Sequence, residues 1–159
     1  MIVSCIQLSS GENYKHNLKK YLHFVKKSIN KNADLILTPE MTSIMTDEKN
    51  KLLKNSYTME GDLFIKETKF LCRKFKRWIL IGSLPIKEKK RLKNRSILIN
   101  PDGKIICYYD KINMFDVNGG NWTKKNLAHE LYFLEDVKDL ERISNDIQDN
   151  LDILRNIIE

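Results

Sequence analysis

A chain of 159 residues has room for one domain with a real core but not for two large ones, and 42% hydrophobic content sets it apart from disordered sequences. The net charge of +7 raises nucleic acid as a partner, yet the lysines are spread as on a solvated face (Lys15, Lys19, Lys20, Lys26, Lys27, Lys31). No apolar run approaches the roughly 20 residues of a membrane span, and the start Met-Ile-Val-Ser-Cys-Ile-Gln-Leu carries no basic leader, so a cytoplasmic chain with no membrane partner is expected.

In chain order, residues 2–8 alternate enough for a first strand. From Tyr14 the positions Leu18, Leu22, Val25 and Ile29 recur at helical spacing, and Asn32 ends that helix. Leu35–Thr38 reads as a buried strand that Pro39 stops, since proline cannot donate to a sheet ladder. Residues 41–60 are polar and poorly patterned, a loop with a short helix. A helix is expected from Gly61 through Phe64, Leu71 and Phe75, then a strand over Trp78–Ile81 closed by a turn at Gly82-Ser-Leu-Pro85. The run Lys87–Lys93 is a solvated hairpin or loop tip; aromatic residues do not interleave with its charges, which argues against nucleic acid. Strands at Ser96–Ile99 and Ile105–Tyr109 flank Asn100-Pro-Asp-Gly103, whose proline and glycine suit a type I turn. Strand, helix, strand, helix, strand, hairpin indicates a layered α/β fold.

The character changes after Val117. Asn118-Gly-Gly-Asn121 is a break. From Lys124 one amphipathic helical pattern runs through Leu127, Leu131, Leu134, Leu140, Ile143, Ile147, Leu151, Leu154 and Ile158. Residues 124–159 carry a net charge of −4 against +11 for residues 1–123. The expected organisation is an α/β domain over 1–118 and an acidic helical extension over 119–159. A switch this abrupt is what a frameshift or gene fusion would produce.

Two segments carry chemistry. Asp34-Leu-Ile-Leu-Thr-Pro-Glu40 delivers the carboxylate of Glu40 at the end of one strand, and Tyr109-Asp-Lys-Ile-Asn-Met-Phe-Asp116 delivers the amine of Lys111 after another. By spacing alone each is as well read as a surface charge. The three cysteines, Cys5, Cys72 and Cys107, are odd in number and lack paired spacing, so neither a disulfide framework nor a metal site is suggested. Buried structural thiols are expected at all three.

With Gln7, Asn17, Ala33–Glu40, Gly82–Pro85, Asn94–Gly103 and Tyr109–Asp116 in this order, residues 2–117 resemble the nitrilase superfamily of carbon–nitrogen hydrolases, in particular its amidase (omega-amidase-like) branch. The resemblance implies the N-terminal part of an α-β-β-α sandwich. It also implies hydrolysis of a small-molecule, non-peptide amide through a cysteine thioester, without metal or organic cofactor. Glu40 would be the general base and Lys111 the stabiliser of the oxyanion. Asn113 stands where the family usually has histidine. The family's nucleophilic cysteine follows the lysine, whereas no cysteine follows Cys107 here, and the family's second acidic residue has no identifiable match. The chain is therefore expected to be truncated and inactive alone. Its alternative role is a non-catalytic interaction protein, a homo-oligomer or one paired with a complementary half.

Overall fold

The computed structural model describes residues 1–89 and 91–111, and the extension expected over 119–159 lies outside them, as does Asn113. The elements are β1 (Val3–Cys5), α1 (Tyr14–Asn30), β2 (Leu35–Leu37), α2 (Lys49–Lys54), α3 (Leu63–Phe75), β3 (Trp78–Glu88), β4 (Arg91–Ile99) and β5 (Ile105–Asp110). They form one mixed sheet in the order β1-β2-β3-β4-β5, parallel from β1 to β3 and antiparallel from β3 to β5. This bears out the α/β expectation.

Local chemistry sets the helix ends. The Asn13 side chain accepts from the backbone N–H of His16 to start α1. At its end Asn32 takes a left-handed φ of 59°, with Asn32 N–H donating to Ile29 and Ala33 N–H to Ser28, the paired bonds of a Schellman stop. Asp62 starts α3 by accepting from Phe64 and Ile65 N–H. Its carboxyl is pushed up, first by burial. The buried stripe of α1 runs through Tyr14, Asn17, Tyr21, Val25, Ser28 and Ile29, while Leu18 and Leu22 are only partly buried beside it. The leucines show the helical period, but the tyrosines mark the centre of the face.

One face of the sheet carries the core. Ser4, Ile36 and Ile79 stand side by side across β1–β3, with Ser4 bonded to Ser28 of α1. Ile81, Ile97 and Ile99 continue that face against α1 and α3. The opposite face holds Val3, Cys5, Leu35, Leu37, Trp78, Leu80 and Leu98, all half-buried or exposed. Cys5 is thus exposed, not the buried thiol expected, because its strand position turns it away from the helices.

A second correction concerns Gly82-Ser-Leu-Pro85, which is no turn. β3 continues through it to Glu88, and the register shifts between Ile81 and Leu84 because Gly82 and Ser83 oppose the single residue Ser96. This bulge changes the phase of the strand. Ile79 and Ile81 before it, and Leu84 and Ile86 after it, all point into the core. Strict alternation breaks at Gly82, which is why the sequence reads as a strand end there. The Asn100–Gly103 turn is as expected: Gly103 N–H donates to Asn100 O at 2.8 Å, and Gly103 has φ 73°.

Candidate functional site

The site lies where β2 ends, on the face of the sheet opposite the helices. Leaving β2, the chain cannot continue in the ladder at Pro39 and turns sharply at Met41, whose φ of 51° is left-handed although it bears a side chain. The β3 bulge holds that turn. Ser83 Oγ accepts from Met41 N–H at 2.8 Å, and Ser83 O accepts from Thr42 N–H at 3.0 Å. Only glycine fits at 82, since a Cβ there would lie 2.0 Å from Thr38 O and 2.6 Å from Pro39 O. From the other side, buried Asn17 donates to Gly11 O at 2.7 Å and to Ser43 O at 3.0 Å, tying both loops to α1. These bonds fix the backbone that presents Glu40.

Glu40 and Lys111, 71 residues apart, meet here. Lys111 Nζ donates to Glu40 Oε1 at 2.6 Å, and Asn94 Nδ2 donates to the same oxygen at 2.9 Å. The pair is partly open to solvent, with side-chain exposures of 34% for Lys111 and 53% for Glu40. Lys111 above all holds the Glu40 carboxyl below its usual range; burial opposes it, and Asn94 adds a lesser lowering effect. Glu40 is therefore ionised at neutral pH and can accept a proton.

Lys111 is placed by the β4–β5 pairing. Its backbone N–H donates to Asn94 O at 2.8 Å. One residue earlier, Asp110 takes both Nε and Nη2 of buried Arg95, the latter at 2.8 Å, and Arg95 Nη2 also reaches Glu88 at 3.0 Å. Arg95 further stacks its guanidinium 4.1 Å from the Tyr108 ring centre. Asn94 and Arg95 thus work on opposite faces of β4, one at the site and one beneath it. Both lie in Asn94–Gly103, a segment that carries the resemblance, but neither shows a role of its own in the sequence. Counting back evenly from the hairpin turn sets Asp110 against Asn94; a register shift between Leu98 and Ile99, with Ile106 as the extra residue, brings Lys111 there instead.

The thiols do not join this cluster. Cys72 is buried under β4, its thiol pushed up to about 12 by burial, and it donates weakly to Ile99 O at 3.8 Å. Cys107 shares the face of Lys111, as alternation predicts, but lies four residues back, about 13 Å along a strand. Burial raises its pKa too, which disfavours the thiolate. Among the described residues no group of His, Cys, Asp and Glu side chains is arranged to hold a metal. No described helix is long and apolar enough to cross a membrane.

The carbon-nitrogen hydrolase family model matches residues 2–148, which carries the match past residue 118. The chain is 29% identical over 119 residues to the deaminated glutathione amidase of Yersinia enterocolitica, covering 73% of this chain and 41% of that protein. It is 28% identical over 123 residues to an omega-amidase of Saccharomyces cerevisiae, covering 73% and 42% respectively. The chain thus spans about two fifths of the length of these curated relatives. Among solved structures, the NitFhit protein of C. elegans superposes with a TM-score of 0.66 at 20% identity over 76% of this chain and 30% of that one. An N-terminal amidase superposes at 0.63 with 22% identity over 72% and 28%. These structures show the same fold.

Proposed function

Since the chain belongs to the carbon-nitrogen hydrolase family, we propose that it supplies the base and the cation of an amidase site whose attacking thiol comes from another polypeptide. The observation that carries this reading is the Glu40–Lys111 contact of 2.6 Å between strand ends distant in sequence. Glu40, kept ionised by its neighbours, takes the proton of the incoming thiol. The thiolate adds to the carbonyl carbon of a small non-peptide amide, and the negative charge gathers on the carbonyl oxygen beside Lys111. The C–N bond breaks and ammonia leaves with the proton. Glu40 then activates water, which cleaves the thioester to acid and regenerates the thiol. The amidase names of the Yersinia and Saccharomyces relatives support the substrate class. No metal or organic cofactor is needed by this chemistry.

The half-exposed face holding Val3, Leu35, Leu37, Trp78, Leu80 and Leu98 favours a second element of the reading, that the chain acts in association. The partner would be a complementary half or another copy of the chain. An acidic extension over 119–159, distinct from the α/β domain, remains part of the proposal.

The test is to mix the chain with a cysteine-bearing polypeptide from the unmatched part of a relative, add a short ω-amide, quench, and weigh both chains. An acyl adduct on the added cysteine, absent with Lys111→Ala, is expected. An adduct on Cys5, Cys72 or Cys107 would overturn the proposal.

A further inference from the structure

We propose that Asn94 is the positioning residue of the site, selecting Glu40 Oε2 as the oxygen that takes the proton. This rests on the reading of Glu40 as the base. Both donors that grip the carboxylate, Lys111 Nζ and Asn94 Nδ2, converge on Oε1, at 2.6 and 2.9 Å. Among the described residues Oε2 has no hydrogen-bond donor, and Lys111 is the charged group in contact with Glu40. A carboxylate held by one oxygen by two donors from different strands is fixed in rotation, and its free oxygen points in one direction. Lysine alone would not do this, because an ammonium on four methylenes follows the carboxylate as it turns. The amide of Asn94 is short and planar, and its own backbone is locked in β4, where its carbonyl accepts from Lys111 N–H.

The other end of the same amide argues that Asn94 is not there for stability. Asn94 Oδ1 is buried and has no hydrogen-bond partner among the described residues. An unpaired buried acceptor is unfavourable, and an apolar side chain of equal size would remove that cost. Asparagine at this position is therefore kept for what its nitrogen does, which is to hold Glu40. Asn94 touches the proposed base, so its role is to position.

The experiment follows the Glu40 side-chain carboxyl by carbon NMR through an acid titration of the full chain, beside unfolding midpoints in urea. In Asn94→Leu the Glu40 midpoint shifts upward towards the ordinary carboxylate value, while the unfolding midpoint stays level or rises. In Asn94→Asp, which sets a carboxylate against Glu40, the Glu40 midpoint shifts upward further. A Glu40 midpoint unchanged in both variants would overturn the proposal, as would a loss of stability in Asn94→Leu with no titration shift. The readout needs no turnover, so a failed amidase assay and a failed positioning role remain distinct results.

Discussion

At the scale of single residues, the site depends on one short contact. The Glu40–Lys111 pair is screened by solvent on both sides, so its contribution to stability is that of a surface pair, about 0.2–1 kcal/mol. The sign of its pH dependence follows from the depressed Glu40 carboxyl. The pair's stabilisation is present above the unfolded carboxylate pKa of 4.5 and is lost as pH falls through the lower folded value. Glu40→Gln should therefore flatten part of the acid limb of a plot of urea midpoint against pH while leaving neutral-pH stability nearly unchanged. An unchanged acid limb would show that the pair is not formed in solution. Both residues were legible in the sequence from the segments that carry them. Asn94 also lies in a segment that carried the resemblance, but its role was not legible, because it depends on strand register and on a carboxylate 54 residues away.

At the scale of elements, the β3 bulge and the β4–β5 pairing hold the site. Gly82→Ala would drive a methyl into Thr38 O and Pro39 O, both backbone atoms that cannot rotate away. Such overpacking should cost about 3 kcal/mol or more, read as a lowered urea midpoint with the slope retained. A cost within surface-substitution range would mean that β2 and β3 do not approach this closely. Arg95→Met removes the charged hydrogen bonds to Asp110, which keeps Lys93 at 3.7 Å, and should cost about 1.5–3 kcal/mol. Asp110→Asn should cost less, and it should flatten the acid limb, because Arg95 holds the Asp110 carboxyl below its usual range. The α1, β2, α3 and hairpin segments were readable from period, capping and turn chemistry. The bulge was hidden because it changes the phase of an alternating pattern, which in sequence looks like the end of a strand. The tyrosine face of α1 was missed for a different reason: the leucines beside it carry the same period more visibly.

At the scale of the molecule, the described residues form a sheet with helices on one side and a half-exposed apolar face on the other. Glu40 and Lys111 stand at the edge of that second face, so whatever packs against it also approaches the site. Family and fold were legible from the order of short motifs, and the family match together with the superpositions bears them out. The source of the thiol was not legible. Cys72 is buried away from the pair, Cys107 lies about 13 Å from Lys111 along its strand, and Cys5 sits on β1. The measurement that bears most directly on the whole account is ammonia release from a short ω-amide. It would be followed for the purified chain alone, then with the cysteine-bearing polypeptide added, each with and without Glu40→Gln. The account predicts no release above buffer from the chain alone, and release on addition that Glu40→Gln abolishes. Turnover by the chain alone, or turnover on addition that survives Glu40→Gln, would contradict it.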